Sequence, residues 1–117
     1  MRIKHCLSTY GRILPVQKTV DLPASSGTPA EIEIANTDYV ADVSVYVAND
    51  FYWTIADSAA NGASRLGSDD TRCLWPAGFF SFPVVGREDN LYIKNSVDSA
   101  VTDGISYTFV ESTGEAV

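Results

Sequence analysis

The sequence predicts an all-β protein, a single antiparallel β-sandwich behind a short N-terminal arm. Three observations predict it. Val, Ile, Tyr, Phe and Trp recur in short bursts that alternate with polar residues, the period of a half-buried strand. Clusters of Gly, Pro, Asn, Asp and Ser separate the bursts at regular intervals, which is how short strands of a sandwich or small barrel are spaced. No long Glu/Lys/Leu/Ala helical pattern is present, and charged residues make up only 20% of the 117. A chain of this length fits one domain with a working hydrophobic core.

The elements follow in order. Residues 1–12 show no clean periodicity and read as an arm, set off by Gly11. Ile13 to Val20 reads as a first strand, and Pro15 places it at a sheet edge or at the strand start, because proline cannot donate to a ladder. Leu22 to Pro29 is rich in turn residues. Ala30 to Asn36 alternates, with Ile32 and Ile34 on one face and Glu31 and Glu33 on the other. Val40 to Val47 alternates again, with Val43, Val45 and Val47 together. These two runs suggest an antiparallel pair, unless the loop between them crosses from one sheet to another.

Phe51 to Ile55 is a dense aromatic strand. Asp57 to Asp70 is the longest stretch without a pattern, with room at Ala59, Ala60 and Ala63 for one short helical turn. Thr71 to Trp75, Phe79 to Val85, Leu91 to Lys94 and Ile105 to Val110 complete the strands, and Pro83 marks its strand as an edge or a bulge. Asn95 to Gly104 reads as a polar loop. The result is a sandwich of about seven or eight short strands, jelly-roll-like or immunoglobulin-like. It spans residues 13–111, and residues 112–117 read as a frayed tail.

Charge is unevenly placed. The formal net charge is −7, yet Arg2, Lys4, Arg12 and Lys18 all precede the first acid, Asp21. The acidic remainder argues against nucleic acid and anionic membranes as partners. The basic segment is either an ordinary charged tail or an arm that lies on an acidic surface, such as that of a neighbouring copy. No stretch is long and apolar enough to span a membrane, and no apolar segment follows the basic N-terminal residues, so the chain reads as cytoplasmically made.

Chemistry is hard to place on these residues. His5 is the only histidine, and it sits in the arm, where a triad would have to be built on a loose end. Cys6 and Cys73 are too few and too far apart for a zinc or redox motif and read as reduced thiols. Glu31 and Glu33 alternate with core residues and belong to a solvent face. Asp69 and Asp70, and Asp98 with Asp103, lack the spacing of a calcium loop. No phosphate-binding glycine motif or nucleophile elbow occurs. The expectation is no enzyme, no cofactor and no metal.

The aromatics remain. Tyr46, Tyr52, Trp53, Trp75, Phe79 and Tyr92 do not all share a face with the aliphatic residues. Such rings commonly seal the ends of a sandwich or lie under a neighbouring subunit. Exposed, they would stack on sugar rings, and Trp75, Tyr92 and Tyr46 are the candidates for that role.

Asn36-Thr37-Asp38, the strand Ala41 to Val47, the motif Leu74-Trp75-Pro76-Ala77-Gly78, Leu91 to Lys94 and the terminal strand Ile105 to Glu111 occur in an order that resembles small β-sandwich virion proteins of tailed bacteriophages. These are capsid decoration (cement) and head–tail accessory proteins. The resemblance covers residues 30–111 and rests on strand and turn patterns. It implies a non-enzymatic structural protein that oligomerises and binds the major capsid protein or other virion proteins on the outer capsid surface. Arg2, Lys4, Arg12 and Lys18 would then form the partner-contact arm. The alternatives are a carbohydrate- or receptor-binding module, with a glycan as ligand, and a head–tail or neck component.

Overall fold

Alternation along the chain becomes eight strands in the computed structural model, which describes residues 13–32, 42–83 and 90–112. They are β1 (Ile13–Leu22), β2 (Ala30–Ile32), β3 (Asp42–Val47), β4 (Phe51–Ala56), β5 (Cys73–Trp75), β6 (Gly78–Pro83), β7 (Asn90–Asn95) and β8 (Val101–Ser112). One helix, α1 (Ala59–Leu66), lies between β4 and β5. The arm expected at residues 1–12 and the tail at 113–117 lie outside the described residues, as does the turn at 36–38.

Pairing is nested. β1 pairs with β8, β2 with β7, β3 with β6 and β4 with β5, all antiparallel. Two further pairings, β3 with β8 and β4 with β7, close these ribbons into two four-stranded sheets, ordered β1-β8-β3-β6 and β2-β7-β4-β5. This is the strand order of a jelly roll, and it selects that sandwich over the immunoglobulin type. The hairpin suggested for 30–36 with 40–47 is not formed. β2 and β3 lie in different sheets, so the chain between them crosses over.

Both prolines act as the sequence suggests. Pro15 lies on β1 and Pro83 on β6, the two edges of one sheet. β8 starts earlier than expected, at Val101, inside what reads as a loop. A bulge hides it: between the Val20–Ile105 and Leu22–Val101 pairs, Asp21 faces Thr102, Asp103 and Gly104. Asp21 Oδ1 accepts from the Asp103 backbone N–H at 2.9 Å, and Asp103 takes φ 54° to present it. A side chain on Gly104 would stand 2.8 Å from the Leu22 Cβ, so the bulge requires glycine there.

The inner faces form the core. Val43, Val45 and Val47 of β3 meet Ile105 and Tyr107 of β8, Leu91 and Ile93 of β7, Ile32 of β2 and Phe51 of β4, all buried. Each full burial of such a side chain stabilises by about 1.5–3 kcal/mol. Asn95 is the polar exception, fully buried opposite Phe51 at the end of β7. Its Oδ1 accepts from Asn49 Nδ2 at 2.8 Å and its Nδ2 donates to the Ser99 carbonyl at 2.7 Å. Its backbone N–H donates to the Pro23 carbonyl at 2.8 Å, so one side chain and its peptide tie three loops together.

Residues 57–70, read as a loop with room for one short helical turn at Ala59, Ala60 and Ala63, contain α1, which runs to eight residues. The Ser58 Oγ caps it, accepting from the Asn61 N–H at 3.2 Å. Asn61 and Gly62 are poor helix formers and mask it in the sequence. Gly62 is required by packing rather than by the helix. The helix lies against the outer face of β4 and β7, and a Cβ at Gly62 would meet the Tyr92 ring at 2.6 Å. Leu66 completes the contact with Ala56 and Tyr92. Replacing Gly62 by Ala should therefore destabilise the protein by about 1–3 kcal/mol through overpacking, reversing the gain a helical Gly→Ala change normally brings. Urea denaturation of the Gly62→Ala variant tests this; an unchanged or raised midpoint would contradict the close approach.

Candidate interaction surface

The two outer faces of the sandwich are built differently. On the β2-β7-β4-β5 sheet the residues pointing away from the core include Tyr52, Thr54 and Ala56 of β4 with Tyr92 and Lys94 of β7. α1 and the segment after it cover them. The Arg72 guanidinium lies 3.8 Å above the Tyr52 ring, donates to the Leu66 carbonyl at 3.1 Å and pairs with Asp69 at 2.5 Å. Arg65 Nε donates to Thr54 Oγ1 at 3.1 Å, and Thr54 Oγ1 donates to the Thr71 carbonyl at 3.0 Å. Burial, and then the charge of Arg72, lower the Lys94 pKa.

The outer face of the β1-β8-β3-β6 sheet has no such cover among the described residues. Register gives this face two central rows across the four strands, Gln17–Thr108–Ser44–Ser81 and Thr19–Ser106–Tyr46–Phe79, with Asp42 at the next position of β3 beyond the first row and Asp21 at the next position of β1 beyond the second. Neither row holds an acid or a base, in a chain with 15 acidic residues. Ser, Thr and Gln make the face polar, and two rings rise from it. Phe79 is 78% exposed and Tyr46 38%, with centroids 5.1 Å apart and planes tilted by 50°. The rings border a shallow basin of about 410 Å3, also lined by Gln17, Ser44, Ser106 and Thr108. Apolar rings in a flat, uncharged setting are the composition of a contact surface, not of a reaction centre.

Edges are blunted where this face ends. β1 is a ten-residue edge strand. It carries Pro15, the bulge at Asp21 and Lys18, which leaves the strand on the side of buried Tyr107 yet stays exposed. Proline, a bulge and an inward-placed lysine each oppose the addition of another strand. β2 and β5, the edges of the other sheet, have three residues each.

The aromatic candidates separate. Tyr92 is not exposed: it is 1% accessible, sealed under α1. Consecutive residues of β7 alternate faces, but α1 gives both faces of that strand a cover. Trp75 is half-buried rather than displayed. It sits at the centre of a ring cluster with Trp53 at 4.8 Å, Phe80 at 4.7 Å and Phe51 at 6.4 Å, which closes the side of the sandwich between β5 and β6. Tyr46 stands on the open face, with Phe79 beside it. Adjacent Phe79 and Phe80 on one strand must point to opposite faces, and that adjacency is the sequence signal for the exposed ring.

Of the basic candidates, Arg2, Lys4 and Arg12 lie outside the described residues. Lys18 belongs to β1, not to an arm ahead of the sandwich. The loop carboxylates are used internally. Ser26 donates to Asp98 from its hydroxyl and its backbone N–H, which holds the Asp98 pKa below its ordinary value. Asp50 Oδ1 accepts from the Ala77 N–H at 3.0 Å. Among the described residues no three His, Cys, Asp or Glu side chains stand together as metal ligands, and no helix is long and apolar enough to cross a membrane. Cys73 is exposed and free.

No protein-family model matches the chain, and no curated protein matches its sequence. Solved structures do match the fold. The tobacco streak virus coat protein dimer superposes with a TM-score of 0.52 at 10% identity, over 90% of this chain and 88% of that one. A second crystal form of that coat protein gives a TM-score of 0.51 at 10% identity, over 92% and 89%. A structure described as Bacillus endospore appendages, a family of disulfide-linked pili, gives 0.50 at 16% identity, over 88% and 92%. At these identities the likeness is one of fold.

Burial raises the Tyr92 pKa above 10.0, and the nearby charges of Glu31 and Asp57 raise it further, with the Asn90 side chain acting in the opposite sense. The neutral phenol is favoured in the fold. Its contribution is complete below pH 10.0, where the unfolded tyrosine begins to ionise, and is lost as pH rises through the folded pKa. Stability measured by urea denaturation should therefore fall above that pH, and less steeply in Tyr92→Phe. An equally steep alkaline loss in the variant would show that Tyr92 does not cause it.

Proposed function

We propose that the chain is a non-enzymatic structural subunit that works by docking on other proteins in a large assembly. The observation that carries this reading is the asymmetry of the sandwich. One outer sheet face is sealed by α1, while the other has no cover among the described residues and carries two uncharged rows topped by Phe79 and Tyr46. The fold is shared with a viral coat protein and with a pilus protein, both of which are assembly subunits by their descriptions. The finer reading is a decoration protein of a tailed bacteriophage, seated on the outer surface of the major capsid lattice. The net charge of −11 over residues 21–117 suits a surface turned away from packaged DNA, and Arg2, Lys4 and Arg12 suit attachment to an acidic capsid patch. Many sites per particle would make weak individual contacts sufficient. The carbohydrate-binding alternative has lost two of its three rings, since Tyr92 is buried and Trp75 is half-buried.

Deletion of residues 1–12 tests the attachment model. Occupancy on purified capsids should fall at least about tenfold near 0.15 M salt, and the gap between the full chain and the deletion should narrow as salt rises, because added salt screens the attraction that only the full chain retains. Undiminished occupancy would overturn the arm, and failure of the full chain to bind any capsid would overturn decoration.

A further inference from the structure

We propose that the occupant of the open face is a second copy of this chain, stacked face to face so that each copy seats its Phe79 in the basin of the other. This deepens the assembly reading by naming the partner of the face. Two copies of a chain carrying −7 repel one another, and like charges brought together across a contact oppose it. The rows Gln17–Thr108–Ser44–Ser81 and Thr19–Ser106–Tyr46–Phe79 hold no carboxylate, and the next acids in register, Asp42 and Asp21, lie beyond their two ends, so two copies centred on these rows can meet without a carboxylate inside the contact. A basic partner would find nothing here to pair with, and its natural target is the acidic remainder of the molecule.

Shape agrees. The face offers both a knob and a hollow: Phe79 stands 78% exposed at the rim of a basin of about 410 Å3 that reaches Gln17 and Thr108 on the far side of the sheet. A patch that carries its own complement is what a two-fold, isologous contact needs. The serine and threonine hydroxyls allow hydrogen bonds across the contact without burying a charge. The long edge strand is blocked by Pro15, Lys18 and the bulge at Asp21, which leaves stacking of faces in preference to addition of strands.

Magnitude follows from sheet geometry. Four strands about 4.8 Å apart and two rows about 6.6 Å apart make this patch roughly 250 Å2 per copy. That is about a third of the roughly 800 Å2 per partner in a standard interface, which puts the contact among weak, transient ones. Within an array its strength would come from multiplicity.

Sedimentation velocity on the full chain from about 10 μM to about 1 mM tests this. Association should grow with concentration and tighten as salt rises from about 20 to about 300 mM, because salt screens the net repulsion and the contact holds no ion pairs. Phe79→Glu and Ser44→Glu each place two like charges in the stacked face and should weaken association at least about tenfold. Both positions are exposed, and circular dichroism with a thermal melt verifies that each variant folds; two variants on different strands guard against a local effect. A wild-type chain that stays monomeric throughout would overturn the inference. So would association that both variants leave unchanged, or that salt weakens. Self-association without capsid occupancy would overturn decoration alone, and occupancy without self-association would overturn this inference alone.

Discussion

Every strand in the first half of this chain takes its partner from the second half, in reverse order, and the rest of the structure depends on that nesting. β1 must wait for β8 and β2 for β7. Only β4 and β5 are neighbours both in sequence and in a sheet. All other connections between consecutive strands pass from one sheet to the other, so the two inner faces are pressed together by the path of the chain. The alternation in β3, whose valines all point inward, acquires its meaning from that path. Such distant pairings also imply slow folding, because long loops must close before the contacts that reward them form.

Nesting also explains why the two outer faces differ. The β4–β5 connection lies at the turning point of the ribbon and holds α1, which folds back on its own sheet. That sheet gains a second hydrophobic contact through Tyr92, Leu66 and Ala56. Among the described residues the opposite sheet gains none. Its outer residues are small and polar except for Tyr46 and Phe79, and its edges carry features that resist added strands. A surface protected at its edges and uncovered on its face favours stacking contacts over added strands.

Strand existence was legible in the sequence because period-2 alternation is a local property. Ile32, Val43, Val45 and Val47 share apolar faces by alternation and are buried, and Leu91, Ile93, Ile105 and Tyr107 alternate in the same way and are buried too. The prolines gave the edges of one sheet for an equally local reason, the missing N–H. α1 was legible only as room for one helical turn, because Asn61 and Gly62 weaken the local helical signal, and the reason for Gly62 is a tyrosine 30 residues away. The start of β8 was hidden by a bulge whose stabilising carboxylate, Asp21, lies 82 positions earlier.

By itself the sequence determined the fold class, the inward residues, the charge asymmetry and the scarcity of catalytic groups, since each is written in residue type and nearest-neighbour spacing. Only the tertiary structure decided which aromatics reach solvent. Tyr46, Trp75 and Tyr92 all sit on short alternating strands, and nothing local separates them. The helix buries Tyr92, the junction of two sheets takes Trp75 into a ring cluster, and Tyr46 is left beside Phe79 on the uncovered face. Exposure is a property of what packs above a residue, and what packs above is set by strand order, which pairwise alternation does not encode.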